Sequence, residues 1–170
     1  MENEIINRVA SSTLVQIDME DWYPVGSRIG FDIAEYLFEG LILKELDFRA
    51  ALKNLDWSAY QNQYVGIFCS ADAIVPTWAF MLVAQNLAGK ALGVYFCKPE
   101  EIDAFLYEKI IRNLDLAPYR DQKVIVKGCS KLPVPNSAYV AIAARLTPEV
   151  QSLMFGEPCS NVPLFKRKKV

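Results

Sequence analysis

The chain has no histidine. That absence excludes Ser-His-Asp and Cys-His catalysis, HExxH and His₃ metal sites, and any acid–base step that depends on an imidazole. Whatever chemistry exists falls to cysteine, carboxylate, lysine, tyrosine, serine or backbone amides. No CxxC pair is present, so thioredoxin-like redox chemistry and zinc knuckles have no motif. The Cys-x₅-Arg loop of thiol phosphatases is missing too: its arginine position falls on Val75 after Cys69 and on Pro135 after Cys129.

Long hydrophobic runs are also lacking. The longest uncharged stretch, Ala73 to Gly89, contains Pro76, Gln85 and Asn86 and falls short of the ~20 apolar residues a bilayer requires, so no membrane partner is expected. The opening Met1-Glu2-Asn3-Glu4-Ile5 is acidic and has no basic region leading into an apolar one; no signal peptide and a cytoplasmic location are expected. Four cysteines in that setting are free thiols, metal ligands or catalytic groups before they are disulfides. A surplus of positive charge is absent, with 18 basic against 20 acidic residues and a net charge of −2, so no nucleic-acid partner is expected. Residues Lys166-Arg167-Lys168-Lys169-Val170 form a basic tail that reads as solvated.

What is present reads as one α/β domain over residues 1–170, including the basic tail 166–170. A chain of 170 residues buries about two-thirds of its unfolded surface. Its 52% hydrophobic content, slightly above the usual share, hints at a homodimer. Residues 3–10 suit a short amphipathic helix, and residues 14–18 and 28–33 alternate like half-buried strands. Asp21-Trp22-Tyr23-Pro24-Val25-Gly26 supplies turn residues between them, which predicts an N-terminal antiparallel β-hairpin. Asp18, Glu20 and Asp21 are either a cation site or simply solvated. A helical spacing of apolar residues follows from Glu45 to Leu55.

The second half carries three continuous apolar runs, Tyr64-Val65-Gly66-Ile67-Phe68, Leu92-Gly93-Val94-Tyr95-Phe96 and Val124-Ile125-Val126. Strands apolar on both faces predict a mainly parallel central sheet with helices on both faces, built from βαβ units. Helices are expected from Pro76 to Gly89, from Pro99 to about Arg112, and from Asn136 to Leu146.

Three Cys-Ser dipeptides, Cys69-Ser70, Cys129-Ser130 and Cys159-Ser160, each lead to a proline a few residues on. Cys69, Cys97 and Cys129 fall at or just past strand carboxyl ends, the edge where α/β sheets form ligand crevices. Cys97, followed by Lys98 and Pro99, is assigned to the core. For Cys69, Cys129 and Cys159 three readings stand. They can ligate Zn²⁺ or an iron–sulfur cluster, with Asp72, Cys97, water or a partner's residue as the fourth ligand. One can be a reactive thiol near a helix N-terminus, aided at Cys129 by Lys127. Or the loops are structural in a non-catalytic binding or interaction module, Ser70, Ser130 and Ser160 serving as turn residues.

The strings Cys69-Ser70-Ala71-Asp72-Ala73-Ile74-Val75-Pro76-Thr77-Trp78-Ala79, Lys127-Gly128-Cys129-Ser130, Gly156-Glu157-Pro158-Cys159-Ser160-Asn161-Val162-Pro163-Leu164, Phe31-Asp32-Ile33 and Gly40-Leu41-Ile42-Leu43-Lys44-Glu45 together resemble a bacterial family, domain of unknown function 2480. The resemblance covers essentially the whole chain. It implies genes that neighbour those for iron–sulfur cluster assembly, and so an accessory role in iron–sulfur or sulfur metabolism with iron–sulfur assembly proteins as partners. It assigns no role to any cysteine.

Overall fold

The structure is a computed structural model that describes residues 14–128 and 131–168; the helix expected over residues 3–10 lies outside the described residues. In chain order the elements are β1 (Leu14–Ile17), β2 (Ser27–Asp32), α1 (Glu45–Asn54), β3 (Gln63–Phe68), α2 (Thr77–Leu87), β4 (Gly93–Tyr95), α3 (Ile102–Arg112), β5 (Lys123–Val126), α4 (Asn136–Leu146), β6 (Ser152–Glu157) and β7 (Ser160–Lys166), with short 3-10 turns between them. The chain divides into a continuous unit, Pro24–Phe105, and a split unit, Met1–Tyr23 with Leu106–Val170.

In the continuous unit the sheet order is β2-β3-β4, all parallel, with Phe31 beside Ile67 and Val65 beside Val94. The apolar side chains of α1 and α2 recur one helical turn apart, so each helix turns a single stripe inward. Phe48 and Leu52 from α1, and Ala79, Val83 and Leu87 from α2, join Phe31, Val65 and Ile67 in one buried core. Full burial of each larger side chain in that set is worth about 1.5–3 kcal/mol. Phe31 stacks on Tyr36 at 5.4 Å and on Trp57 at 5.8 Å. Gly66 lets the backbone at Cys97 cross closely over β3; a methyl group there would run into the Cys97 carbonyl oxygen.

The split unit has sheet order β1-β5-β6-β7, with β1, β5 and β6 parallel and β7 antiparallel to β6. Its core gathers Ile17, Met19, Tyr107, Ile111, Val124, Val126, Ala138, Ile142, Leu146 and Leu153. The buried Tyr107 hydroxyl donates to the Met19 carbonyl oxygen at 2.8 Å, satisfying the one polar atom the ring carries inward.

The N-terminal antiparallel hairpin is not formed. β1 pairs parallel with β5 and β2 parallel with β3, in different sheets. Between them Asp18 caps a 3-10 turn, Met19–Trp22, that buries Met19. The three apolar runs are likewise not in one sheet: β3 and β4 share one and β5 belongs to the other. The architecture is thus α/β with parallel-rich sheets, one of them mixed. The C-terminal segment, expected as a loop carrying Cys159, is the hairpin β6–β7. Pro163 hid that strand; it is tolerated because β7 lies at the sheet edge.

The two units repeat one another at one constant offset. The buried pairs Phe48 and Tyr107, Leu52 and Ile111, Val65 and Val124, Ala79 and Ala138, Val83 and Ile142, and Leu87 and Leu146 all correspond. So do Asp56 and Asp115, each accepting from an amide two residues on, and Asn62 and Asp121, with φ of 59° and 56°. Strand register follows suit: Ile17 pairs with Val126 as Phe31 pairs with Ile67, and Val124 with Leu153 as Val65 with Val94. Edge-on ring pairs Phe80–Phe96 and Tyr139–Phe155 both meet at 86°. At that offset Cys69 falls on Gly128 and not on Cys129, so the recurrence of the Cys-Ser dipeptide lies outside the register of the repeat.

Candidate binding site

The carboxyl ends of β5 and β6 in the split unit open into a cavity of about 630 Å³. It lies at the edge where parallel α/β sheets place ligands. Strands contribute Val126, Leu153, Phe155 and Leu164, the loop entering α4 contributes Leu132, Pro133 and Val134, and α4 itself contributes Asn136, Tyr139, Val140, Ile142 and Ala143. Each element has a local reason to be there. The apolar run of β5 buries both faces and ends at Val126, and two residues on, a Cβ at Gly128 would run into the Phe155 ring. Pro135 precedes the first turn of α4, which buries Ala138, Ile142 and Leu146 and leaves Val140 70% exposed. Among the described residues of the lining, Asn136 and Tyr139 bring side-chain polarity. The described lining residues carry no carboxylate, thiol or amine and offer mainly apolar contact.

The residues singled out from the sequence are distributed elsewhere. Cys69 is half-buried just past β3, and its thiol donates to the Ala71 carbonyl oxygen at 3.6 Å. The Ser70 amide donates to the Asp32 carboxylate at 3.0 Å, and the same oxygen accepts from Ala34 at 2.9 Å. Burial pushes the Asp32 carboxyl up, but the bonds from Ser70 and Ala34 outweigh it and hold the group below its ordinary value. Asp72 is exposed on the same loop. Cys97 is buried, as assigned, and burial with Glu101 and Glu100 nearby pushes its thiol up to about 11. Cys159 is exposed at the turn between β6 and β7, and Ser160 begins β7 opposite Glu157. Cys69 belongs to the continuous unit and Cys159 to the split one. Cys129 and Ser130 lie outside the described residues.

Lys127, just past β5, pairs with Asp18 at 3.0 Å. The Lys127 hydrogen bond lowers the Asp18 carboxyl below its ordinary value, and Asp18 raises the lysine. The acidic cluster is used locally: Asp18 also accepts from the Glu20 amide at 3.0 Å, and the Glu20 carboxylate accepts from the Lys131 and Leu132 amides. Among the described residues no group of three His, Cys, Asp or Glu side chains is placed to hold a metal ion.

The cavity residues Tyr139, Val140, Phe155 and Leu164 were not anticipated. The signal available was the apolar outer face of α4 and the proline pair Pro133 and Pro135 that shapes its entry.

The model of the family described as Protein of unknown function (DUF2480) matches residues 3–167. No curated protein and no solved structure matches the chain. Among the described residues no helix is long and apolar enough to cross a membrane.

Proposed function

The chain belongs to the DUF2480 family, and from its cavity we propose that it is a non-catalytic binding module that takes a small apolar ligand between β5, β6, β7 and α4. The observation that carries this reading is the volume of about 630 Å³ with its apolar lining, within the range of about 300–1,000 Å³ common for small-molecule sites. Asn136 and Tyr139 would orient a ligand that carries one polar group. The Cys69-Ser70 loop supports the same reading, because its thiol is engaged locally with the Ala71 carbonyl and its amide ties the end of β3 to Asp32 at the end of β2. The cysteines described are free thiols, which supports a reducing, cytoplasmic setting.

Titration with an anilinonaphthalene sulfonate dye tests the proposal. Saturable one-to-one binding is expected, lost when Ala143→Phe or Val140→Trp fills the cavity without changing the circular dichroism. No saturable binding, or equal binding by both filled variants, overturns it.

A second reading keeps an accessory role in iron–sulfur or sulfur metabolism. Cys159, exposed on the β6–β7 turn, supports it as a thiol open to a metal, a cluster or an assembly partner. Protein purified without oxygen would then carry zinc or iron in fixed proportion, reduced by Cys159→Ser. Metal-free protein from such a preparation removes this reading.

A further inference from the structure

We propose that the free edge of β4 is the docking site for a second copy of this chain, with β4 of one copy antiparallel to β4 of the other. β4 is three residues long and, among the described residues, pairs on one side only, with β3. Its counterpart in the split unit is β6, Val94 and Phe96 corresponding to Leu153 and Phe155. There the equivalent edge is covered by an antiparallel strand, β7, and Phe155 sits beside Val162. The repeat is therefore built to receive an antiparallel strand at this position, and the continuous unit has none of its own.

Exposure records the difference. Phe155 is half-buried, whereas Phe96 is 72% exposed although its ring packs edge-on to Phe80 in the same way. Leu92, at the other end of the strand, is 49% exposed, and Met81 on α2 is 67% exposed. α2, Thr-Trp-Ala-Phe-Met-Leu-Val-Ala-Gln-Asn-Leu, carries no charged residue. An uncharged apolar edge is a pairing hazard unless something covers it.

The same features select a second copy as the occupant. Antiparallel pairing about a two-fold axis makes the edge its own complement, so one interface covers both patches. α2 brings no charged side chain to the face that would be buried, and Lys90 and Lys98 lie exposed beyond the two ends of β4. Three residues offer few backbone bonds, so burial of Phe96, Leu92 and Met81 must supply most of the association. This inference stands apart from the cavity reading.

Sedimentation velocity of the full chain at high micromolar concentration tests it. The expected mass is twice the 19.2 kDa of one chain. Phe96→Asp and Met81→Lys are each expected to return it to the single-chain value with unchanged circular dichroism and dye binding. If Phe96→Asp disturbs folding, Met81→Lys, on an exposed helix face, keeps the test decisive. A wild-type protein of single-chain mass throughout, or a dimer that survives Met81→Lys and a folded Phe96→Asp, overturns the proposal.

Discussion

Asp32 accepts a hydrogen bond from the Ser70 amide at 3.0 Å, tying the carboxyl end of β2 to that of β3. Because the same carboxylate caps the 3-10 turn through Ala34, Asp32→Ala removes two partners at once. A cost of about 1 kcal/mol is expected, as for loss of a helix cap. The lowered Asp32 value also sets a sign. The contribution is complete above the unfolded carboxylate value of about 3.9 and is lost as pH falls through the folded value. Urea unfolding of wild type and Asp32→Ala at neutral and acid pH checks both; the difference should shrink in acid.

Lys127→Met is expected to raise the Asp18 carboxyl towards its ordinary value, since the lysine's hydrogen bond is the largest influence on it. The lowered Asp18 value adds stability at neutral pH that fades as acid protonates the folded carboxylate. Carboxyl carbon shifts followed by NMR across the acid range report the change. An unaltered Asp18 titration would show that the pair is not maintained in solution.

Leu87 and Leu146 occupy corresponding positions at the ends of α2 and α4 and are both fully buried. Leu87→Ala and Leu146→Ala should each cost about 2–5 kcal/mol. Thermal unfolding measures this, and a negligible effect at either site would argue against the equivalence of the two cores.

Alkylation should rank the thiols by access and proton affinity. Cys159, exposed on its turn, reacts first among Cys69, Cys97 and Cys159. Cys97, buried and with its thiol pushed up to about 11, reacts last and only in alkaline solution or on unfolding. Peptide mass spectrometry after timed iodoacetamide treatment gives the order, and rapid labelling of Cys97 at neutral pH would contradict the packing around it.

Much of the fold was legible because local physics wrote it. The apolar run ending in Phe68, the uncharged stretch after Pro76 and the acidic-to-basic order from Glu100 to Arg112 each state their element unaided. α4 was legible to its boundaries, Asn136 and Leu146. β7 was not, because Pro163 contradicts a strand unless the strand lies at an edge, and edge position is a property of the sheet. Pairing was beyond local pattern as well. Residues 14–18 and 28–33 alternate equally well for an antiparallel or a parallel neighbour, and only the distant runs at Val124 and Val65 select the parallel one.

By itself, then, the sequence determined which chemistry is open to this protein and where its helices and its most apolar strands run. A missing histidine is absolute, and apolar periodicity is a local property of the chain. It also held the repeat, spelled in Leu52 and Ile111, Val83 and Ile142, Leu87 and Leu146. Tertiary structure alone decided that these residues serve two separate cores, that Ser70 closes on Asp32 and that apolar side chains around α4 leave a cavity. Each of those outcomes depends on which distant segments meet, and long-range contact is set by the summed burial of the fold.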